Sequence, residues 1–206
     1  PEGGDPRMGE GVQPDVGGRV TLRLFEMRKP VIAAINGAAV GFGATFPLAM
    51  DYRIAAEGSK FSFIFARRGI VAESCSSYFL PRLVGIPSAL DWMMTGRFID
   101  AEEAREKGLV NEITPSARLT ERALEYALSI AENTSAASVA LNRQLIWRMA
   151  EAVHPLRAHQ LESRALAAML AHGDSREGAA SFAPRRPPRF AGTASDTDFM
   201  EDWWRE

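Results

Sequence analysis

The chain of 206 residues has one cysteine, Cys75, and three histidines. A single cysteine excludes an intrachain disulfide and a cysteine-rich metal cluster. His154 and His159 are five residues apart, so they do not share one face of a helix, and His172 stands alone. These histidines are typical of surface or helix-packing positions. We therefore predict no metal site.

Long apolar runs are also missing, because each one stops well short of the 18 or more residues that a membrane span needs. The first residues are glycine, proline and acidic, unlike the basic and then apolar start of a signal peptide. A cytoplasmic protein without a membrane partner is the default expectation. The formal net charge of -2 offers no general attraction to nucleic acid, so any anion site must be local.

A glycine-rich turn follows the clearest strand candidate. Residues 31–35 are an apolar run short enough for a buried strand. Gly41 and Gly43 flank Phe42 and leave the backbone free of side-chain bulk, and a helix predicted over 43–50 has unpaired N–H groups at its start. This pattern predicts a turn that can bind an oxyanion.

Two other interpretations of the turn are a dinucleotide-binding motif and a tight structural corner. The dinucleotide motif would need a third small residue where Phe46 stands, and an acidic residue about 20 positions later, which is missing. The glycines alone do not exclude a purely structural turn.

The pattern of the whole chain predicts an α/β protein in three parts. A flexible loop or tail covers 1–18, an α/β core 19–115, and a helical region 116–206. Before Pro115 we predict helices over 20–27, 43–50, 87–96 and 100–107, and strands over 31–35, 52–56, 61–64 and 109–113. Asp100 with Glu103, and Asp174 with Glu177, are spaced as capping boxes. Further helices are predicted over 117–133, 136–151, 155–172 and 174–183.

Several motifs in order resemble the enoyl-CoA hydratase/isomerase (crotonase) family. They are KPVIAAING at 29–37, GFG at 41–43, DYRIAA at 51–56, KFSF at 60–63, LPRLVG at 80–85, TG at 95–96 and AEEAREKGLV at 101–110. Together they are far more specific than one glycine pattern. The resemblance, which runs from about residue 24 to 190, implies a spiral of β-β-α turns followed by a helical region that forms trimers or hexamers. It also implies an N-terminal part with a second oxyanion N–H, which we do not find in this sequence.

The family chemistry implied by this resemblance polarises an acyl-CoA thioester carbonyl with backbone N–H groups and stabilises the enolate. Phe42 matches the N–H donor position, with Gly41 and Gly43 beside it. Hydratases of the family use two glutamates, and here those positions hold Thr45 and Phe65. A threonine hydroxyl is too weak a base near neutral pH, and phenylalanine offers only an apolar wall. Hydration by two glutamates is therefore not expected.

A different carboxylate stands in VAESCSS at 71–77, which looks like the acid/base segment of Δ3,Δ2-enoyl-CoA isomerases. One carboxylate, Glu73, suffices for isomerisation because the base that takes a proton from C2 can return it at C4. We expect Phe65, Ile70 and Tyr78 to line the acyl pocket, and Thr45 to lie at the substrate site. Alternatively, Glu73 is a surface residue that caps a helix. Cys75 is not expected to be a nucleophile.

The C-terminal segment 181–190 resembles the closing segment of the family. Phe182, Arg185 and Arg186 are candidates for contact with CoA or a neighbouring subunit, although a short basic run is also typical of solvated surface. Trp203 and Trp204 should pack against the helical region or another subunit.

These features predict an acyl-CoA double-bond isomerase that needs no cofactor, coenzyme A being part of its substrate. Two alternatives stay open: hydration of an enoyl-CoA with one carboxylate, and a non-catalytic CoA-binding protein.

Overall fold

The computed structural model describes residues 12–204. Their contacts form two compact units: one of residues 12–25 and 31–124, and one of residues 26–30 and 125–204. Most of the predicted N-terminal tail lies outside the described residues. Of that segment, residues 16–18 already belong to the first helix.

Helices and short strands alternate along the first unit. The α-helices within residues 12–204 are α1 (Val16–Glu26), α2 (Phe42–Thr45), α3 (Ser76–Thr95), α4 (Ala101–Glu106), α5 (Leu119–Asn133), α6 (Ala136–Met149), α7 (Pro155–Ala171) and α8 (Gly173–Phe182). The strands are β1 (Ile32–Ile35), β2 (Ala38–Val40), β3 (Tyr52–Ala56), β4 (Lys60–Ser62), β5 (Ile99–Asp100) and β6 (Glu112–Thr114). The 3-10 helices are Phe46–Ala49, Ile64–Arg68, Ser116–Arg118 and Ala194–Trp204. No helix in this part of the chain has the length and apolar content to cross a membrane.

The strands form two three-stranded sheets in the first unit. One has the order β1-β3-β6 and is parallel throughout. The other has the order β2-β4-β5, with β2 parallel and β5 antiparallel to β4. Because β1 and β2 are joined by a short turn yet enter different sheets, the chain passes directly from one sheet to the other ahead of the glycine-rich turn.

The predicted strands and helices agree with most of these elements. The short strands β2 and β5 were not predicted, and the helix predicted over 87–96 is the second half of α3, which is kinked at Gly85. The helix predicted over 43–50 is one α-turn, α2, followed by a 3-10 helix. Half of the predicted capping box of α4 is confirmed, since the N–H of Glu103 donates to the Asp100 side chain at 2.8 Å, whereas the Glu103 carboxylate bonds Trp92 and Arg97.

A buried aromatic pair anchors the core of the first unit. The rings of Phe63 and Trp92 stack with centroids 6.1 Å apart, and both side chains are buried. The Trp92 indole N–H donates to Glu103 at 3.2 Å, and Arg97 bonds the same carboxylate at 2.5 Å as well as Asp91 at 2.7 Å. This hydrogen bond from Arg97 is the main cause of the lowered pKa of Glu103.

The second unit packs helices around a cluster that contains Leu161 and Trp203. Its buried members are Leu141, Leu145, Leu161, Ala165, Met200 and Trp203. The expected packing of Trp203 against the helical region is thus confirmed, whereas the side chain of Trp204 lies outside the described part of the structure.

The predicted capping box at the start of α8 was wrong. His172 caps the helix by accepting the Asp174 N–H at 3.2 Å. The buried Asp174 carboxylate instead accepts the Ser135 hydroxyl at 2.6 Å and the N–H groups of Ala191 and Gly192 at 3.1 Å. Asp174 therefore holds the segment after α8 instead of capping that helix.

Candidate active site

The glycine-rich turn presents the backbone N–H groups of α2. Gly41 has φ 57° and ψ -122°, a conformation that residues with a side chain rarely adopt. Its own N–H donates to Ser62 O of β4 at 2.9 Å, and this bond fixes the turn to the sheet. The N–H groups of Phe42 and Gly43 belong to the first turn of α2 and have no partner inside that helix. Both residues are exposed, and a Cβ added at Gly43 would meet no atom within 4 Å, so the space beside the turn is open.

The side chain of Phe42 packs on a neighbouring ring. It is 48 % exposed and stacks on Phe46 with ring centroids 5.3 Å apart.

Thr45 joins the turn to Glu73. Its side chain is fully buried, and its hydroxyl lies 2.5 Å from Glu73 Oε1. The structure thus brings Glu73 to the turn and Thr45, which precede it by 28 or more residues in sequence. Thr45 was expected to contact substrate, but its hydroxyl is engaged by the Glu73 carboxylate.

Glu73 does not cap a helix with its side chain. The N-cap of α3 is Cys75, and no side chain bonds the cap. The Glu73 carboxylate instead accepts the hydroxyls of Thr45 and Ser74, while its backbone carbonyl accepts the Ser76 N–H at 3.0 Å. The alternative interpretation of Glu73 as a capping residue was therefore wrong.

The loop that carries Glu73 has an unusual backbone. Ser74 and Cys75 have φ 57° and 53°, the left-handed region that residues other than glycine seldom adopt. Such strain needs support from the surrounding structure and is typical of functional loops.

Sequence reasoning missed the contribution of α1 to this loop. Asp15 Oδ1 accepts the N–H of Gly18 at 2.5 Å, at the start of α1, and the N–H of Ser74 at 3.1 Å. The first turn of α1 also lies against Glu73, because a side chain at Gly17 would overlap Ser74 Oγ and Glu73 Oε2. An Asp directly before the first residue of a helix is an N-cap signal, and Asp15 could have indicated where this helix begins.

The thiol of Cys75 is kept neutral. Burial raises its pKa, and the carboxylates of Asp15 and Glu73 raise it further. A thiol of raised pKa is a poor nucleophile at neutral pH.

An apolar cavity of about 470 Å³ begins next to the Glu73 loop. Its walls are mainly aliphatic, and Ser76 and Ser77 are the polar residues among those that line it. The lining residues are Phe65, Ala66, Ile70, Val71, Ala72, Ser76, Ser77, Leu80, Pro81, Ile86, Ala89, Leu90, Met93 and Met94. The cavity has a size typical of small-molecule sites.

Two of the three residues expected at the acyl pocket, Phe65 and Ile70, line this cavity. Tyr78 lies elsewhere. Its ring contacts Phe25 and Phe79 edge-on, and the Arg82 guanidinium stands 3.6 Å from its centroid. Tyr78 therefore braces α3 against α1.

The C-terminal candidates belong to the second unit. Phe182 is 84 % exposed, and Arg185 is exposed. Arg186 pairs with Glu177 at 2.6 and 2.8 Å. This pair, together with the Arg189 N–H, lowers the pKa of Glu177 to about 2. A phosphate would have to compete with Glu177 for Arg186.

A metal site would require several ligating side chains placed close together. Between residues 12 and 204, no group of three or more His, Cys, Asp or Glu side chains is placed to hold a metal ion.

Several proteins are similar to this chain in sequence. A protein of Alternaria alternata named enoyl-CoA hydratase ACTT3 is 47% identical over 180 residues, which cover 87% of this chain and 60% of the relative. A carnitinyl-CoA dehydratase of Salmonella typhi is 34% identical over 194 residues, with 89% of this chain and 73% of the relative covered. The chain thus spans about 60% of the length of its Alternaria relatives.

Solved structures share the fold. An enoyl-CoA hydratase of Bacillus anthracis matches with a TM-score of 0.80 and 34% identity, covering 85% of this chain and 69% of that one. An enoyl-CoA hydratase/isomerase of Cupriavidus metallidurans matches with a TM-score of 0.79 and 31% identity, covering 86% and 66%. The predicted crotonase-type fold is confirmed. Residues 15–193 match the family described as enoyl-CoA hydratase/isomerase, and this chain belongs to that family.

Proposed function

We propose that the protein binds an unsaturated acyl-CoA thioester and moves its double bond, with Glu73 as the proton shuttle. The observation that supports this most is the Glu73 carboxylate, bonded by Thr45 beside the N–H groups of α2. A base and an oxyanion donor are the two groups that enolate chemistry needs.

The thioester oxygen would accept the Phe42 N–H. When a proton leaves C2, charge moves onto this oxygen, and a preorganised N–H stabilises it by on the order of 3 kcal/mol. The proton goes to the Glu73 carboxylate, which becomes a carboxylic acid. It then returns to C4 of the dienolate, and the double bond has moved from C3–C4 to C2–C3 with no net change in atoms or charge.

The apolar cavity suits the acyl chain. It starts at Ala72 and Ser76, which flank the Glu73 loop, and continues between α3 and the 3-10 helix Ile64–Arg68. Phe65 is 6 % exposed and forms part of the wall, where a family hydratase would have its second glutamate. Glu73 stands at the entrance of this cavity, between the lining residues Ala72 and Ser76, and the lining adds no second carboxylate, which supports a reaction with one base.

Hydration of a 2-enoyl-CoA is the second candidate, because relatives from Alternaria alternata and Bacillus anthracis carry the name enoyl-CoA hydratase. In this chain Glu73 would have to activate water alone, because the positions that match the two hydratase glutamates hold Thr45 and Phe65. Assembly into trimers or hexamers stays a prediction that rests on the family.

The test compares Glu73→Gln with Glu102→Gln in the full-length protein, given 2-enoyl-CoA and 3-enoyl-CoA separately. Glu102 is an exposed residue of α4, so its replacement controls for the loss of one charge. We expect Glu73→Gln to lower kcat on 3-enoyl-CoA by about 10²–10⁴-fold, the usual contribution of a general acid–base. Acyl-CoA binding should be retained.

Isomerisation at the wild-type rate in Glu73→Gln would refute the proposal. Consumption of 2-enoyl-CoA alone, again dependent on Glu73, would overturn it in favour of hydration. Acyl-CoA binding without turnover of either substrate by the wild type would leave a non-catalytic binding protein.

A further inference from the structure

The Thr45 hydroxyl directs its proton to Glu73. It lies 2.5 Å from Glu73 Oε1, but 3.3 Å from Phe42 O and 3.4 Å from Gly41 O. A hydroxyl has one proton to donate, and the hydrogen bond to a charged acceptor is the shorter and stronger one. The Thr45 hydroxyl therefore donates its proton to the Glu73 carboxylate.

Thr45 is itself fixed in place. Its side chain is fully buried, and its N–H donates to Gly41 O at 3.1 Å within the glycine-rich turn. A β-branched side chain in helical backbone has few rotamers. The hydroxyl is therefore a rigid reference point between the oxyanion turn and the carboxylate.

The opposite side of the carboxylate is open only because residue 17 is glycine. A side chain there would overlap Glu73 Oε2 and the Ser74 hydroxyl that donates to it. The carboxylate thus occupies a slot between the first turn of α1 and Thr45. Each oxygen has two lone pairs, so these hydrogen bonds leave a lone pair free for a substrate proton.

We propose that Thr45 is a positioning residue for Glu73, and that Gly17 leaves the space that this orientation requires. The inference rests on the proposed function. A single base that serves both C2 and C4 must have a fixed orientation, because a displacement of about 1 Å can cost on the order of 10²-fold in rate. Thr45 acts through Glu73 and does not itself exchange a proton.

The test is a double-mutant cycle with Thr45→Val and Glu73→Gln in the full-length protein. Thr45→Val keeps the branched shape and removes the donor, so kcat on 3-enoyl-CoA should fall by about 10–100-fold while KM changes by less than about twofold. Thr45→Ser keeps the donor and should restore kcat to within about threefold of the wild type. In the Glu73→Gln background, Thr45→Val should cause no further loss.

A second variant, Gly17→Ala, approaches the carboxylate from the other side. It should lower kcat by a similar factor without touching Thr45, and melting curves check that both variants are folded. Wild-type kcat in Thr45→Val, or an equal loss in both Glu73 backgrounds, would overturn the positioning role while the proposed function stood. If Glu73→Gln itself left isomerisation unchanged, the proposed function would fall, and the cycle distinguishes these two results.

Discussion

Replacing Cys75 tests the strained backbone beneath Glu73 without removing a group that the proposed chemistry uses. At φ 53°, a residue with a Cβ costs about 1–2 kcal/mol relative to its relaxed conformation. Glycine avoids this cost, but it loses more conformational entropy on folding, which lowers the stability by about 0.5–1 kcal/mol. We therefore expect Cys75→Gly to be about 0.5–1 kcal/mol more stable than Cys75→Ala, which keeps the Cβ and loses only the thiol.

Thermal unfolding of the two variants measures this difference. At about 2–4 °C per kcal/mol for a chain of this size, their Tm values should differ by about 1–4 °C. Both should keep kcat within about twofold, because a thiol of raised pKa is neutral at pH 7. A lower Tm for Cys75→Gly than for Cys75→Ala would refute the strain argument. Loss of turnover in both would show that the thiol takes part in the reaction.

Two further predictions concern stability, both measured by urea unfolding. Leu161→Ala should lower the free energy of unfolding by about 2–5 kcal/mol because Leu161 is fully buried. Leu170 lies on the same helix and is 65 % exposed, so Leu170→Ala should lower it by about 0.5 kcal/mol or less. Equal losses in the two variants would contradict the packing of α7. Arg97 lowers the pKa of Glu103, so their attraction is present above the ordinary pKa of 4.5 and disappears as pH falls through the lower folded value. Glu103→Gln keeps an acceptor for Trp92 and should cost up to about 1 kcal/mol at pH 7. This cost should shrink as the pH falls below 4.5, and a cost independent of pH would count against the charged pair.

Local patterns in the sequence were sufficient for much of the fold. The apolar run at 31–35, the glycine-rich turn and the Asp100 N-cap of α4 each depend on neighbours within a few residues, and each is present. The strands β2 and β5 are too short to produce an apolar pattern, because they are defined by their pairing with β4.

Contacts between distant residues account for what the sequence did not predict at the site. The choice of Glu73 came from a motif, but its bond to Thr45 depends on how α2 and the Glu73 loop fold together. The role of Gly17 follows from close packing against that loop, and it could not be inferred from the local sequence of α1. Asp174 is the reverse case. Its local spacing predicted a capping box, but its carboxylate bonds Ala191 and Ser135, which are 17 and 39 residues away.

The Asp15 carboxylate links the start of α1 to the Glu73 loop, which are far apart in the sequence. It holds the first turn of α1 and the amide of Ser74 at the same oxygen. Local opening of the start of α1 would therefore release the Ser74 amide in the same step, and with it the left-handed backbone that supports Glu73. Fraying of a surface helix and inactivation of the candidate site would then be a single cooperative event.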